Sequence, residues 1–254
     1  MQILSRRFPA NVHFHNKRND GFSLIEIAVV IVIISVLLAM VAVPLASQVE
    51  RRRVEDTQKL LESVKDALYG YAAANGRLPC PATATSAGQE APLGGGTCTT
   101  LVGFLPAVTL GITPVDSAGF ATDAWVDGTA ARRVGYAVSN SNSSALTTTD
   151  GVRAATMASV GASTTHLYVC ATGLASGPPT TNCGVTVATL ADKAPVVLFS
   201  LGRDTGTNSI DETNNQNGDR VFSSGTPNAT FDDIVTWMSM NALFDRMIKA
   251  GKLP

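Results

Sequence analysis

The chain has 254 residues, 45% of them apolar and 15% charged, with a formal net charge of −1 at pH 7. That composition excludes a disordered or highly charged tail and leaves room for one or two domains with a globular part. The mildly acidic balance, with no basic cluster beyond Arg51-Arg52-Arg53, offers no electrostatic footprint for nucleic acid.

Residues 1–21 are basic, with Arg6, Arg7, Lys17 and Arg18 against Asp20 alone. Then comes GFSLIE, Gly21 to Glu26, and after it residues 27–43, in which Ser35 is the only polar side chain. About 20 apolar residues span a bilayer core, so residues 22–46 are predicted to be a membrane segment with Glu26 as its sole charge. The run is longer than a secretory signal's apolar region, although Ala39 to Ala46 contains small residues of the kind signal cleavage uses. The basic leader favours a cytoplasmic N-terminus.

Beyond the apolar block, Val54, Leu61, Val64, Leu68, Tyr71 and Ala72 recur at helical spacing with charges between them, so an amphipathic helix is predicted to continue through residues 47–75. Asn75-Gly76 supplies a left-handed cap and Pro79 prevents continuation. Pro44 removes one helical hydrogen bond and predicts a bend between the two halves.

Residues 76–254 are predicted to form a separate β-rich head. Apolar stretches rich in strand formers occur at Val134–Val138, Leu167–Ala171, Gly184–Val187 and Pro195–Leu201. The amphipathic helix would cover one face of their antiparallel sheet, giving an α+β fold. The last residues predict a closing strand and then a short helix, with the boundary near Asn241.

The four cysteines, Cys80, Cys98, Cys170 and Cys183, lack CxxC spacing, which removes the usual zinc and thioredoxin-like signals. Of three possible connectivities, pairing of neighbours is predicted, with buried free thiols as the alternative. Disulfides would place the head in an oxidising compartment.

Catalytic signals are sparse. The chain after Gly21 has one histidine, His166, and no GxSxG, HExxH, Walker or dinucleotide fingerprint. Asp232 and Asp233 are adjacent, so in a strand they point to opposite faces, and a capping or solvated role is predicted for them. Trp125, in Asp123-Ala124-Trp125, is expected to be a core or loop anchor and not a site. The segment Arg203 to Arg220 is dense in oxygen ligands, namely Asp204, Asn208, Asp211, Glu212, Asn214, Asn217 and Asp219, but fits no EF-hand spacing.

GFSLIE followed by an apolar helix resembles the N-terminus of type IV pilins and type II secretion pseudopilins over residues 15–75. The resemblance implies cleavage by a prepilin peptidase between Gly21 and Phe22, and methylation of the new N-terminal Phe22. It also implies a Glu26 that pairs with the N-terminal amine of a neighbouring subunit. Two positions depart from the pattern: Asp20 stands where a basic residue is commoner, and Pro44 falls one position late.

Implied partners are the prepilin peptidase/methyltransferase, other pilins or pseudopilins, an inner-membrane assembly platform and membrane lipid. The implied location is the bacterial inner membrane with the C-terminal domain in the periplasm, and then a filament. No cofactor is required, although some pseudopilins bind calcium in a loop of the region 203–220. The competing expectation is an inner-membrane-anchored periplasmic binding or enzymatic domain.

Overall fold

The computed structural model describes residues 23–129, 132–174, 177–184, 188–206 and 209–254, with the side chains of 39–46 outside that description. The chain divides into two units, residues 1–49 and 50–254. Helix α1, Leu24–Asn75, contributes to both.

In the first unit, α1 carries exposed apolar side chains: Leu24 is 92% exposed, and Ile31, Val32 and Leu38 are each more than half exposed. Ser35 satisfies its hydroxyl internally by donating to the Ile31 carbonyl at 2.7 Å, as a serine in an apolar helix must. Among the described residues no helix is long and apolar enough to cross a membrane. The predicted span 22–46 extends over Phe22 and over the undescribed side chains of 39–46, and so does the predicted bend at Pro44.

The second unit contains strands β1 (Val102–Phe104), β2 (Gly135–Val138), β3 (Leu167–Ala171), β4 (Thr189–Ala194), β5 (Val196–Ser200), β6 (Val221–Ser224) and β7 (Ile234–Trp237). Its shorter helices are α2 (Ala107–Leu110), α3 (Ser141–Ser144), α4 (Gly151–Ala155), α5 (Met157–Ala162), α6 (Ile210–Gln216) and α7 (Met240–Lys249). One sheet, in the order β1-β2-β5-β7, is antiparallel throughout. The other, β4-β3-β6, pairs β3 with β4 antiparallel but β3 with β6 parallel, so the head is not wholly antiparallel as predicted. The long connection between β3 and β6, which runs through β4, β5 and α6, permits that parallel return.

Alternation along the first sheet sorts its side chains into two cores. Tyr136, Leu198 and Ile234 join Leu61, Val64, Leu68 and Ala72 of α1, so the amphipathic stripe is buried under one face. Ala137, Val197 and Phe199 face the other way, onto Leu167, Val169 and Phe222 of the second sheet. The layers are therefore helix, sheet, sheet. β5 is central to both cores, which is why all five of its residues are buried.

The helix stops as predicted: Gly76 takes a left-handed φ of 67° and donates to the Ala72 carbonyl. Three of the four predicted strands appear as β2, β3 and β5. Residues 185–187 of the fourth lie outside the described residues, and β4 begins beyond them at Thr189. Disulfides join sequence neighbours, Cys80 to Cys98 and Cys170 to Cys183.

Candidate functional site

Ser23 precedes the first helical residue and accepts a hydrogen bond from the Glu26 N–H through Oγ at 3.3 Å. The Glu26 carboxylate returns the favour, accepting from the Ser23 N–H at 3.4 Å. This reciprocal pair is a capping box, S-x-x-E, and satisfies two of the amides that a helix start leaves unpaired. The pattern Ser23-Leu24-Ile25-Glu26 was readable in the sequence. Gly21 and Phe22 lie outside the described residues.

The helix that begins at this box presents a continuous apolar surface from Leu24 to Leu38. Residues 16–42 match the family model described as the prokaryotic N-terminal methylation motif. This motif is the type IV pilin and pseudopilin signature. No curated protein and no solved structure matches the chain. The matched stretch contains Gly21, Phe22 and Glu26 and covers none of the residues after 42.

In the second unit, α1 is fastened at several heights. Trp125, nearly buried, donates its indole N–H to Glu50 at 3.3 Å. The Ala124 N–H reaches Thr57 Oγ1 at 3.2 Å. Asp123 holds this loop, accepting from the Trp125 N–H and from Ser200 Oγ. Trp125 is thus the loop anchor predicted. At the helix end, Glu90, unnoticed in the sequence, forms two hydrogen bonds with Arg77 and accepts from the N–H groups of Cys80 and Gly94. The Arg77 guanidinium also lies 5.3 Å from the Tyr71 ring centroid.

The oxygen-rich segment splits into groups. Asp204 and Glu212 converge with Asp232, their carboxylate oxygens all within 4.8 Å of one another. Asp211 instead accepts from the Gly173 N–H, Asn214 donates to the Val221 carbonyl, and Asn217 pairs with Asp219. Asn208 lies outside the described residues. Helix α6 orients Glu212; it starts at Ser209, whose Oγ accepts from the Glu212 N–H at 3.2 Å, another S-x-x-E start.

Of the capping or solvated role predicted for Asp232 and Asp233, the capping part holds for Asp232, whose Oδ2 accepts from the Arg203 N–H at 3.2 Å, and the solvated part does not hold for Asp233. Asp233 is 3% exposed and accepts from the Asn215 amide at 2.7 Å, while Asp232 Oδ1 is buried with no hydrogen-bond partner. Both precede β7, so the alternation of strand side chains never applied to them. Burial pushes the Asp233 carboxyl up to about 7; the Asn215 hydrogen bond opposes this, and the charges of Glu212, Asp232 and Asp204 reinforce it. Burial also raises Asp232, with Asp204 and Glu212 adding to the effect.

Carboxylates brought together in this way take up either protons or a hard cation. The orphaned Asp232 Oδ1 and the close approach of three carboxylates fit a calcium-sized ion, for which such oxygens are the preferred ligands.

His166 is fully buried, with Nδ1 against Ser139 Oγ at 2.7 Å and Nε2 against the Val160 carbonyl at 2.6 Å. The Nε2 contact to a carbonyl requires a proton there, so Nδ1 accepts from Ser139. Burial is the main cause of its lowered pKa. This histidine–serine contact adjoins a space of about 50 Å³, far smaller than a substrate pocket, and holds the loop structure around β2.

Proposed function

We propose that the chain is a structural subunit, a minor pilin or pseudopilin, of a type IV pilus or type II secretion filament. The observation that carries this reading is the methylation motif over residues 16–42, set on a helix start whose apolar side chains stand exposed among the described residues. A prepilin peptidase cuts between Gly21 and Phe22, and the new amine is methylated.

Before cleavage, the Glu26 carboxylate rests on the Ser23 N–H. Cleavage creates a cationic amine at Phe22, and a carboxylate at the entrance to hydrocarbon is stabilised by a cation far better than by an amide. The amine of a neighbouring subunit provides that cation, which sets the register in which the apolar helices then pack on one another. The head, stapled by two disulfides, is carried outside.

Calcium held by Asp204, Glu212 and Asp232 belongs to the same reading. The ion would neutralise their mutual repulsion and tie the segment after β5 to α6 and to the start of β7.

Cysteines introduced one at a time between Leu24 and Leu38 test the assembly reading by crosslinking in the native membrane. Crosslinks to other pilin-like chains are expected; a helix that crosslinks to none of them is only an anchor, and the subunit reading fails.

A further inference from the structure

The face of the first sheet that meets the second carries a row in register across three strands: Phe104, Gly135 and Phe199. Glycine is needed at the middle position, because a Cβ there would stand 2.3 to 2.5 Å from three atoms of the Phe199 ring. The ring tip fills the space that a side chain would take, which leaves an aromatic floor across β1, β2 and β5. Beside it opens a cavity of about 610 Å³, lined also by Leu201, Gln216 and Arg133. That volume lies within the roughly 300–1,000 Å³ range of small-molecule sites.

Among the described residues, Arg133 is the one cationic group on its wall. It stands two residues before Gly135 and its guanidinium stacks 4.0 Å from the Phe120 ring centroid. Its Nε donates to Asp116 Oδ2 at 2.9 Å, while Asp116 Oδ1 is fixed by the N–H groups of Ala118 and Phe120. The guanidinium also lies 5.4 Å from the Phe104 ring centroid, so two rings and an ion pair at one edge hold it in place. Among the described residues no hydrogen bond uses its Nη1 or Nη2, although these form a second fork matched to a carboxylate. The neighbouring amides are spent internally: Asn215 on Ser223 and Asp233, and Gln216 on the Gly206 carbonyl.

We infer that this cavity binds a compact apolar monoanion, an aromatic carboxylate by class, with its ring on Phe104 and Phe199 and its carboxylate on the free edge of Arg133. This site is independent of the N-terminal helix and of the acidic cluster. The anion supplies the acceptors that Arg133 lacks, and the apolar body covers the two rings.

The test is a fluorine NMR titration of the purified full chain in detergent with 6-fluoro-2-naphthoate and, separately, its neutral amide, each against a micelle blank. The carboxylate is expected to bind about tenfold or more tightly than the amide, the usual value of a charge-assisted contact. Arg133→Gln should abolish that preference, and Ala84→Trp, which fills the cavity from its rim, should remove binding of both. Asp116→Asn should retain or strengthen carboxylate binding, which separates loss of charge from loss of fold. No binding beyond the blank, equal affinity for the two probes, or a preference that survives in Arg133→Gln overturns the assignment.

Discussion

Arg77 and Glu90 face each other through two hydrogen bonds of 2.7 Å, with side chains only 7% and 4% exposed. Thirteen residues apart, they fasten the end of α1 to the loop closed by Cys80 and Cys98. Removing one partner leaves the other charge buried, so Arg77→Met should destabilise the head by about 3–5 kcal/mol in denaturant titration. The double variant Arg77→Met/Glu90→Leu should recover much of that loss. The ion pair and backbone donors hold Glu90 below its ordinary pKa against the opposing effect of burial. Its stabilising contribution is present above the unfolded carboxyl value and is lost as the pH falls through the lower folded value.

Asp233 has the opposite sign. Its folded value of about 7 lies above that of an unfolded aspartate, so between about pH 4 and 7 the native state binds more protons. Stability from this group is complete below the unfolded value and declines as the pH rises through 7. Asp233→Asn should flatten that part of a plot of Tm against pH. His166, lowered by burial, works the other way: its contribution is present above the unfolded value near 6.5 and is lost on acidification. His166→Gln should therefore reduce acid sensitivity without changing the slope that belongs to Asp233.

Calcium should raise the Tm of the purified chain and chelation should lower it, with the response abolished in Asp232→Asn. An unchanged Tm across a calcium titration of the wild-type chain would contradict calcium binding by these carboxylates, leaving protons and the Arg203 ion pair to balance them. Asp219→Asn, outside the converging group, should leave the calcium response intact.

What the sequence made legible was whatever local chemistry dictates. The stripe Leu61, Val64, Leu68 and Ala72, the stop at Gly76, the strands at β2, β3 and β5, and the disulfide neighbours all follow from periodicity, caps or short separations. Relationships between distant segments were not legible. Glu90 looks like any loop glutamate until Arg77 meets it, and Asp232 joins Asp204 and Glu212 only because β7 starts beside α6. The parallel pairing of β3 with β6 joins stretches about 50 residues apart, beyond any periodic signal. Neither S-x-x-E box, at Ser23 or at Ser209, was read from the sequence, because the pattern is short and recurs without a helix start.

Glu26→Ala should leave cleavage after Gly21 largely intact while impairing filament assembly, because the carboxylate's proposed partner exists only after the cut. Immunoblots of processed and sheared fractions would measure the two steps separately. Normal assembly of Glu26→Ala would contradict the pairing while leaving the motif untouched. Glu26→Asp, shorter by one methylene, should fall between the two.

The most direct measurement is the intact mass and N-terminal peptide of the chain isolated from cells that contain a prepilin peptidase. The account predicts a protein lacking residues 1–21 and beginning with a singly methylated Phe22. A chain that still begins at Met1, or one cut within Ala39 to Ala46 as a secretory signal would be, would contradict it.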